Sequence, residues 1–385
     1  MAKFLIGTLN NISPVGLANL TDKYELTDDI DKAAGIIVRS YKMHDMDFSD
    51  NLLCIGRAGA GVNNIPLEKC ADQGIVVFNA PGANSNAVKE LCVAALIMGA
   101  RNVFEGSTWV NTLEGDVSSE IEAGKKQFAG TEISGKTLGI MGLGAIGAKL
   151  ANAAYALGMN VVGYETFKPN ACLTAPVELY DDLTEMVKVC DYVSIHVPSL
   201  PETKGMINKD LIANMKDGVI VLNFARPDLV VNADIIEACE SGKIRKYLTD
   251  VPNEELTNRK NIVCTPHIGA SSEEAEDNCA TMAVQQAMDY IENGNIRNSV
   301  NLPNVQLDTV EGTKRISVIA KCPAETVDRA VMSAVGADNV VASKSNDMVA
   351  FKPSEYTAAI YAVKDTCDVN ADDIKADGIL KVRVL

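Results

Sequence analysis

The chain lacks any apolar run long enough to cross a membrane. Its longest run, at residues 91–100, falls far short of the roughly 20 apolar residues that a transmembrane helix needs. It also lacks an excess of positive charge, because 35 Lys and Arg stand against 51 Asp and Glu, a formal net charge of −16. Such a surface repels nucleic acid and anionic lipid, which argues against both as general binding partners.

No two of the ten cysteines have the C-x-x-C spacing of a zinc or redox motif. Their scattered positions argue against disulfides and against a metal site, and we expect most of these thiols to be buried and free.

The first ten residues, MAKFLIGTLN, hold one Lys and a short apolar stretch that Gly7 interrupts. They predict a first β-strand rather than a signal peptide, so we expect the chain to stay in the cytoplasm.

The composition itself is that of a globular protein, with 47% hydrophobic and 22% charged residues. At roughly 100–200 residues per domain, the length of 385 residues predicts two to three domains. In the first hundred residues, short β-rich runs alternate with helical stretches, and a longer alternation of six strands follows between residues 137 and 264. Strands that alternate with helices form parallel, doubly wound sheets, so we predict an α/β fold with two such domains.

The tail from residue 312 has a different order of elements. The pattern predicts four strands and two helices, in the order strand 315–321, helix 324–335, strand 339–343, strand 348–352, helix 355–363 and strand 380–384. This βαββαβ order is the ferredoxin-like pattern. The predicted domains are therefore residues 1–97 with a return segment at 293–307, residues 98–292, and residues 312–385.

The strongest local motif is the glycine-rich turn GLGAIG, which lies between the apolar strand TLGIM and the helix AKLANAAYAL. A G-x-G-x-x-G sequence indicates a dinucleotide site only in this strand–turn–helix context. Gly142 permits the tight turn, Gly144 lets a pyrophosphate approach the backbone, and Gly147 lets the helix pack closely on the strand. The helix N-terminus then offers free N–H groups and a partial positive charge to the phosphates, and the turn residues Ala145 and Ile146 are also predicted to contact the cofactor.

An acidic residue follows this turn at the spacing that a dinucleotide site requires. Glu165 ends the next predicted strand, 18 residues after Gly147. A carboxylate at about this distance hydrogen-bonds the ribose hydroxyls and repels a 2′-phosphate. The sequence therefore predicts NAD rather than NADP as the cofactor.

Only three histidines are available as the acid/base of a hydride-transfer site. His44 lies in the polar stretch KMHDMD and is predicted to be a surface residue. His196 ends an apolar strand, whereas His267 follows a strand end and precedes a helix start. Ligands of open α/β sheets bind at such strand ends, so position favours His267, and His196 remains the alternative.

Charged residues follow two other predicted strands of the second alternation. Arg226 lies just past the strand VIVLN, where a guanidinium can bind a substrate carboxylate, although a surface role for it stays open. Asp250 and Glu255 follow the strand KYLT. Carboxylates there can orient a histidine or bond a nicotinamide amide, unless they are simply solvated.

With these residues the chain resembles the D-isomer-specific 2-hydroxyacid dehydrogenases, over about residues 3–303. The segments that carry the resemblance are, in chain order, RAGAGVNNI, NAVKEL, GTEISGKTLGIMGLGAIGAKLANAAYALGMNVVGYE, VSIHVPSLPETKGMIN, NFAR and TPHIGASSEEAEDNCA. The resemblance implies a flavodoxin-like substrate domain and a Rossmann NAD domain. It also implies an NAD-dependent oxidoreductase that acts on a small 2-hydroxyacid, as a homodimer or homotetramer.

The family's catalytic set corresponds in this chain to Arg226, Glu255 and His267. In the family, the histidine takes the hydroxyl proton as hydride leaves, the glutamate holds the histidine, and the arginine binds the substrate carboxylate. Glu254 competes for the glutamate role, but the ungapped spacing from Asp250 favours Glu255. Two further residues, His196 and Asp250, match family positions that line the cofactor.

Within the family, the segments most resemble the branch that oxidises 3-phosphoglycerate, the first step of phosphorylated serine biosynthesis. The candidates for binding the substrate phosphate are Arg39, Arg57 and Lys125, the last reaching in from a partner subunit. The alternatives are a reductase for hydroxypyruvate or glyoxylate and, outside the enzymes, an NAD-sensing protein like the family's transcriptional corepressors. Solvated surface positions for the three cations also remain open.

Three positions depart from the family pattern, since Asn63 replaces an Asp, Pro227 a Gly and Pro252 an aromatic residue. Pro227 fixes a φ angle where Gly would be free, so we expect the loop after Arg226 to differ.

The tail resembles an ACT domain, a small regulatory module that often binds amino acids, most closely in IKADGILKVRVL. Its first loop, AKCPAET, lacks the Asn and Gly that surround the ligand in serine-binding modules, so a dimerisation role is equally open.

Overall fold

A computed structural model of the protein describes residues 3–349 and 352–385. The chain divides into two compact units, of which the first contains the residues up to 84 and residues 273–385, and the second contains residues 85–272. In the described ranges, no helix combines the length and the apolar character that a membrane span requires. The predicted domain boundaries stay predictions.

The N-terminal part of the first unit is a parallel five-stranded sheet. Its strands are β1 (Phe4–Leu9), β2 (Tyr24–Thr27), β3 (Gly35–Val38), β4 (Cys54–Arg57) and β5 (Val76–Phe78), in the order β2-β1-β3-β4-β5, and its helices are α1 (Pro14–Leu17) and α2 (Leu67–Asp72). Along β3, Ile36 and Val38 belong to one hydrophobic cluster and Ile37 to another, because successive side chains of a strand point to opposite faces. The sheet is therefore buried on both faces, as the apolar runs predict.

The second unit is a parallel seven-stranded sheet with helices. Its helices are α3 (Ser85–Ala100), α4 (Val103–Val110), α5 (Val117–Gly124), α6 (Ala145–Ala156), α7 (Leu183–Val189), α8 (Lys209–Asn214) and α9 (Asn232–Ser241). Its strands are β6 (Thr137–Met141), β7 (Asn160–Tyr164), β8 (Glu178–Tyr180), β9 (Tyr192–Ile195), β10 (Val219–Asn223), β11 (Ile244–Thr249) and β12 (Ile262–Cys264). The two doubly wound sheets predicted from the sequence are confirmed.

The strand order of the second sheet creates a switch point between β6 and β9. The order is β12-β11-β10-β9-β6-β7-β8, so the chain runs outward from β6 on one side, and returns to build the other side from β9. Ligands of doubly wound sheets bind outside the carboxyl ends of the strands at such a point. The glycine-rich turn follows β6 directly, which places it there.

The rest of the first unit is a long helix followed by an antiparallel sheet. These elements are α10 (Glu273–Asn293), β13 (Thr313–Ala320), α11 (Ala324–Val335), β14 (Val340–Val349), β15 (Lys352–Lys364) and β16 (Ile379–Val384), with the sheet order β14-β15-β13-β16. Ile319 and Tyr356 of this sheet share a hydrophobic cluster with Ile6 and Val76 of the N-terminal sheet. The C-terminal sheet is thus anchored to the first sheet by a common core.

The predicted helix at 355–363 is wrong, because this segment is strand β15. It lies between β14 and β13 in the sheet, and its residues from Tyr356 to Val363 are all buried. A strand buried on both faces shows a continuous apolar run, which periodicity cannot distinguish from a buried helix. The order is therefore βαβββ instead of βαββαβ. Of the strand predicted at 348–352, residues 350 and 351 lie outside the described residues.

Two short strands were not predicted from the sequence, for the opposite reason. Strands β2 and β8 each lie at the edge of a sheet, and only Tyr24 of the four residues YELT is buried in β2. None of the three residues of β8 is buried. A mostly exposed edge strand carries no apolar run that would indicate it.

The ten cysteines are free thiols, and most of them are buried. Burial raises the pKa of Cys54 and of Cys190 to about 12, so these thiols stay protonated at neutral pH. The expectation of mostly buried, free thiols is confirmed.

Candidate active site

The glycine-rich turn between β6 and α6 has the geometry that its motif predicts. Gly142 has a φ of +91°, and a Cβ added to it would lie 2.9 Å from the carbonyl oxygen of His196. A Cβ added to Gly147 would lie 2.0 Å from the carbonyl oxygen of Gly142. Only glycine therefore allows the backbone to pack this closely at both positions.

Gly144 differs from the other two glycines, because nothing in the described chain lies within 4 Å of the position that its Cβ would take. Its φ of −66° is also accessible to every residue type. Packing thus gives no reason for a glycine here, whereas a ligand that approaches the backbone does. Gly144 is the N-cap of α6, and no described side chain caps it, so the first N–H groups, among them those of Ala145 and Ile146, are available to an anion.

Glu165 follows β7 and lies beside this turn. Its carboxylate accepts hydrogen bonds from the backbone N–H groups of Leu143, at 2.7 Å, and of Phe167, at 3.0 Å. The bond to Leu143 fixes the carboxylate against the turn itself. A carboxylate has further lone pairs with which to accept hydrogen bonds from ribose hydroxyls.

His196 lies just past β9, on the other side of the switch point. Its Nε2 lies 2.8 Å from the hydroxyl of Ser194, and its Nδ1 is buried with no hydrogen-bond partner among the described residues. Burial lowers the pKa of His196 to about 4, so the ring is neutral at pH 7 and a weak proton acceptor. This environment suits contact with a cofactor better than acid/base chemistry.

These residues fit a bound dinucleotide. The uncapped start of α6 and the open space at Gly144 suit a pyrophosphate, and the carboxylate of Glu165 suits ribose hydroxyls. The orphaned Nδ1 of His196 is a buried polar atom that a ligand group would satisfy.

His267 is exposed on a tight turn after β12, with a φ of +57°. Asp250, a carboxylate only 2% exposed at the end of β11, holds this turn. It accepts hydrogen bonds from the Thr265 hydroxyl at 2.6 Å, from the Ile268 N–H at 2.9 Å and from the Gly269 N–H at 2.6 Å. Hydrogen bonds to a charged carboxylate are the strong ones, so Asp250 fixes the backbone that carries His267.

The sequence analysis missed the two residues that make this arrangement possible. Thr265 supplies a hydroxyl to Asp250, and a Cβ on Gly269 would lie 2.8 Å from Oδ2 of Asp250. Glycine therefore lets the backbone approach the carboxylate. The available signal was the Thr and Gly that flank His267 in TPHIG.

Arg226 is exposed just past β10, where its Nη1 donates to the carbonyl oxygen of Ala225 at 2.8 Å. The buried Asn223 fixes this strand end, since its amide donates to the carbonyl oxygen of Arg226 at 2.8 Å and accepts from the N–H of Ala225 at 3.1 Å. Strands β10, β11 and β12 are neighbours and parallel. Arg226, Asp250 and His267 therefore leave the sheet at the same edge.

The structure does not bring Glu255 to His267, so the predicted pairing is absent here. Glu255 instead accepts a hydrogen bond on Oε2 from Nδ2 of Asn232 at 2.7 Å. Within the described parts of the chain, no hydrogen bond or ion pair joins His267 to Glu255 or to Glu254. The partner that holds the histidine turn is Asp250 instead.

In the first unit, Arg39 and Arg57 lie at the carboxyl ends of the adjacent strands β3 and β4. Nη2 of Arg39 forms an ion pair with Oε1 of Glu276 at 2.6 Å. Nη1 of Arg57 donates to the carbonyl oxygen of Ala58 at 3.3 Å, and a Cβ on Gly59 would overlap the guanidinium. Both predicted phosphate-binding residues thus lie at one sheet edge, and Arg39 already has a carboxylate partner.

The two remaining candidate residues are on the surface. Lys125 follows α5 and pairs with Glu122 at 2.6 Å, and its predicted reach into a partner subunit stays a prediction. His44 is exposed, as predicted, with Nε2 lying 3.0 Å from the carbonyl oxygen of Asn63.

Comparison with known proteins decides the family. The profile described as D-isomer specific 2-hydroxyacid dehydrogenase, NAD binding domain, matches residues 93–269, which include the glycine turn and His267. Hydroxypyruvate reductase of Thermotoga maritima is 38% identical over 267 residues, which cover 66% of this chain and 84% of that protein. The chain belongs to the D-isomer specific 2-hydroxyacid dehydrogenases. The family and the NAD cofactor that the sequence predicts are confirmed.

Further relatives of this chain are named for a phosphorylated substrate. D-3-phosphoglycerate dehydrogenase of Methanocaldococcus jannaschii is 35% identical over 326 residues, which cover 82% of this chain and 61% of that protein. The chain spans 61%, 54% and 52% of the length of the first three curated relatives that it matches. The crystal structure of NAD⁺-bound 3-phosphoglycerate dehydrogenase of Entamoeba histolytica has a TM-score of 0.61 and 28% identity, and covers 78% of this chain and 99% of that chain.

Proposed function

We propose that this dehydrogenase oxidises D-3-phosphoglycerate to 3-phosphohydroxypyruvate with NAD⁺, the first step of phosphorylated serine biosynthesis. The observation that supports this substrate is the arginine pair at the ends of β3 and β4, in a chain with a net charge of −16. Two guanidinium groups at one sheet edge suit a phosphate dianion, which binds arginine through charge-assisted hydrogen bonds. The similarity to curated phosphoglycerate dehydrogenases supports the same substrate.

The proposed reaction removes a hydride from C2 of the substrate and a proton from the C2 hydroxyl. Bound NAD⁺ supplies the hydride acceptor. His267, in its neutral form, accepts the hydroxyl proton as the C2–H bond breaks and the carbonyl forms, and it later releases this proton to solvent. Arg226 binds the substrate carboxylate and stabilises charge on the reacting oxygen. Asp250 keeps the histidine turn in place through its three hydrogen bonds.

The proposal extends to the remaining predicted residues and to the assembly. Glu255 orients the imidazole after exchanging its bond to Asn232, and Lys125 serves the substrate site of a neighbouring subunit in a homodimer or homotetramer. The C-terminal sheet acts in regulation or in dimerisation. Ten free thiols suit a reducing compartment, which supports a cytoplasmic location.

A specific observation favours a second candidate, the reduction of hydroxypyruvate or glyoxylate. Arg39 already pairs with Glu276, which neutralises one of the two cations that a phosphate would need. The relative from Thermotoga maritima is named hydroxypyruvate reductase. Rates with phosphorylated and unphosphorylated substrates distinguish the two candidates.

Arg39→Ala and Arg57→Ala should each raise KM for 3-phosphoglycerate about ten- to a hundredfold, since the loss of a charge-assisted bond to phosphate costs about 1.5–3 kcal/mol. KM for D-glycerate, which lacks the phosphate, should change far less. Steady-state NADH formation measures both. Arg329→Ala on α11 is the control and should change neither value, since the guanidinium donates to Glu325 and Thr326 of its own helix. Equal losses on the two substrates would mean that Arg39 and Arg57 are structural.

Glu165→Gln should narrow the preference for NAD over NADP. The amide still accepts from the Leu143 N–H, but the like-charge repulsion of a 2′-phosphate, worth about 1–3 kcal/mol, disappears. The ratio of kcat/KM for the two dinucleotides measures the change, and Glu178→Gln on the exposed edge strand β8 is the control. A wild-type protein that uses both dinucleotides equally well contradicts the role of Glu165.

A further inference from the structure

The ion pair between Arg39 and Glu276 joins a predicted phosphate ligand to the first turn of α10. The two side chains are 38% and 41% exposed, so water reaches both charges. Exposed ion pairs contribute only about 0–1 kcal/mol. Arg39 is therefore held by a partner that a stronger anion can displace.

Arg57 belongs to the same group of charges. Helix α10 packs against β4 and β3, and Cys279 lies one turn after Glu276. Burial raises the pKa of the Cys279 thiol, while the charges of Arg57 and Arg39 oppose this rise. Both arginines thus lie within electrostatic range of the same helical turn.

The other carboxylates of this helix start do not pair with Arg39. Asp277 accepts a hydrogen bond from the hydroxyl of Ser13, and Glu274 is exposed. Among the described residues, Glu276 forms the one ion pair of Arg39. Arg39 is consequently a cation that already has an anionic partner when a phosphate dianion arrives.

We propose that Glu276 competes with the substrate phosphate for Arg39, and that it thereby weakens the discrimination between phosphorylated and unphosphorylated 2-hydroxyacids. This inference rests on the proposed function. When the phosphate binds, Arg39 exchanges one anionic partner for another, and the released carboxylate of Glu276 stays close to the phosphate. The like charges of this carboxylate and the phosphate repel each other, more strongly near a protein surface than in bulk water.

Glu276→Gln should therefore lower KM for 3-phosphoglycerate about three- to tenfold, because it removes both the competition and the repulsion. KM for D-glycerate should stay the same. Glu274→Gln, which removes the same charge from the same helix turn, is the matched control and should have a much smaller effect. If Glu276 instead orients Arg39 for the substrate, Glu276→Gln raises KM for 3-phosphoglycerate, and this opposite direction overturns the inference.

A second pair of variants tests whether the effect passes through Arg39. In an Arg39→Ala background, Glu276→Gln should no longer change KM for 3-phosphoglycerate, whereas an undiminished effect contradicts the inference. Calorimetric titration of 3-phosphoglycerate into the NADH complex measures binding without turnover. In this titration Glu276→Gln should bind 3-phosphoglycerate more tightly than the wild-type protein does. If the wild-type protein oxidises neither substrate, the proposed function fails, and equal binding of 3-phosphoglycerate by wild type and Glu276→Gln separately overturns the role of Glu276.

Discussion

His267→Ala is expected to lower kcat about 10²–10⁴-fold, the usual contribution of a positioned acid/base. The substitution removes an exposed imidazole from a turn whose backbone is held by Asp250, so the turn itself should keep its conformation. NADH affinity should survive, because the proposed dinucleotide site is the glycine turn after β6. Steady-state rates and a fluorescence titration with NADH measure the two effects separately.

The matched control is His196→Ala. Burial lowers the pKa of His196 to about 4, so its ring is a weak proton acceptor near neutral pH. Its loss should affect cofactor binding more than kcat. Near wild-type kcat in His267→Ala, with none in His196→Ala, would transfer the acid/base role to His196.

Gly144→Val is expected to weaken NADH binding about 10²–10⁴-fold, because a side chain there keeps the pyrophosphate from about two charge-assisted hydrogen bonds of roughly 1.5–3 kcal/mol each. The melting temperature without cofactor should hardly change, since no described atom lies within 4 Å of the new Cβ and the φ of −66° suits valine. Calorimetric NADH titration and thermal unfolding of the free protein measure these two quantities.

Gly147→Ala is the contrasting variant, because its main effect should be on the stability of the free protein. Its new Cβ would meet the carbonyl oxygen of Gly142 at 2.0 Å, so the free protein itself should lose stability. A Gly144→Val protein with unchanged NADH affinity would show that the pyrophosphate does not approach this position.

The parts of the fold that follow from local sequence were predicted well. The glycine turn is a contiguous strand–turn–helix unit, so Gly142, Gly144 and Gly147 reveal it without knowledge of the rest of the chain. Strand β15 was mistaken for a helix because its residues are buried on both faces, and only its place between β14 and β13 distinguishes the two. The pairing of β15 with its neighbours therefore distinguishes a strand from a helix here, which the periodicity of its sequence cannot do.

In the candidate site, too, local sequence indicates some residues, whereas other contacts follow only from the folded chain. Strand ends pointed to Arg226 and His267, because carboxyl ends of parallel strands are recognisable from apolar runs. The hydrogen bonds of Asp250 to the histidine turn bridge residues 15 to 19 positions apart, and those contacts require the pairing of β11 with β12. The ion pair of Arg39 with Glu276 joins residues that are distant in the chain, so no spacing rule could indicate it.

The most direct test of the proposed function is NADH formation by the wild-type protein with a panel of D-2-hydroxyacids. We expect kcat/KM to be highest for D-3-phosphoglycerate and about ten- to a hundredfold lower for D-glycerate, since the latter lacks the phosphate that Arg39 and Arg57 would bind. NADH formation from D-glycerate or D-lactate at equal or higher kcat/KM would contradict the phosphorylated substrate, and no NADH from any member of the panel would contradict the proposed dehydrogenase activity.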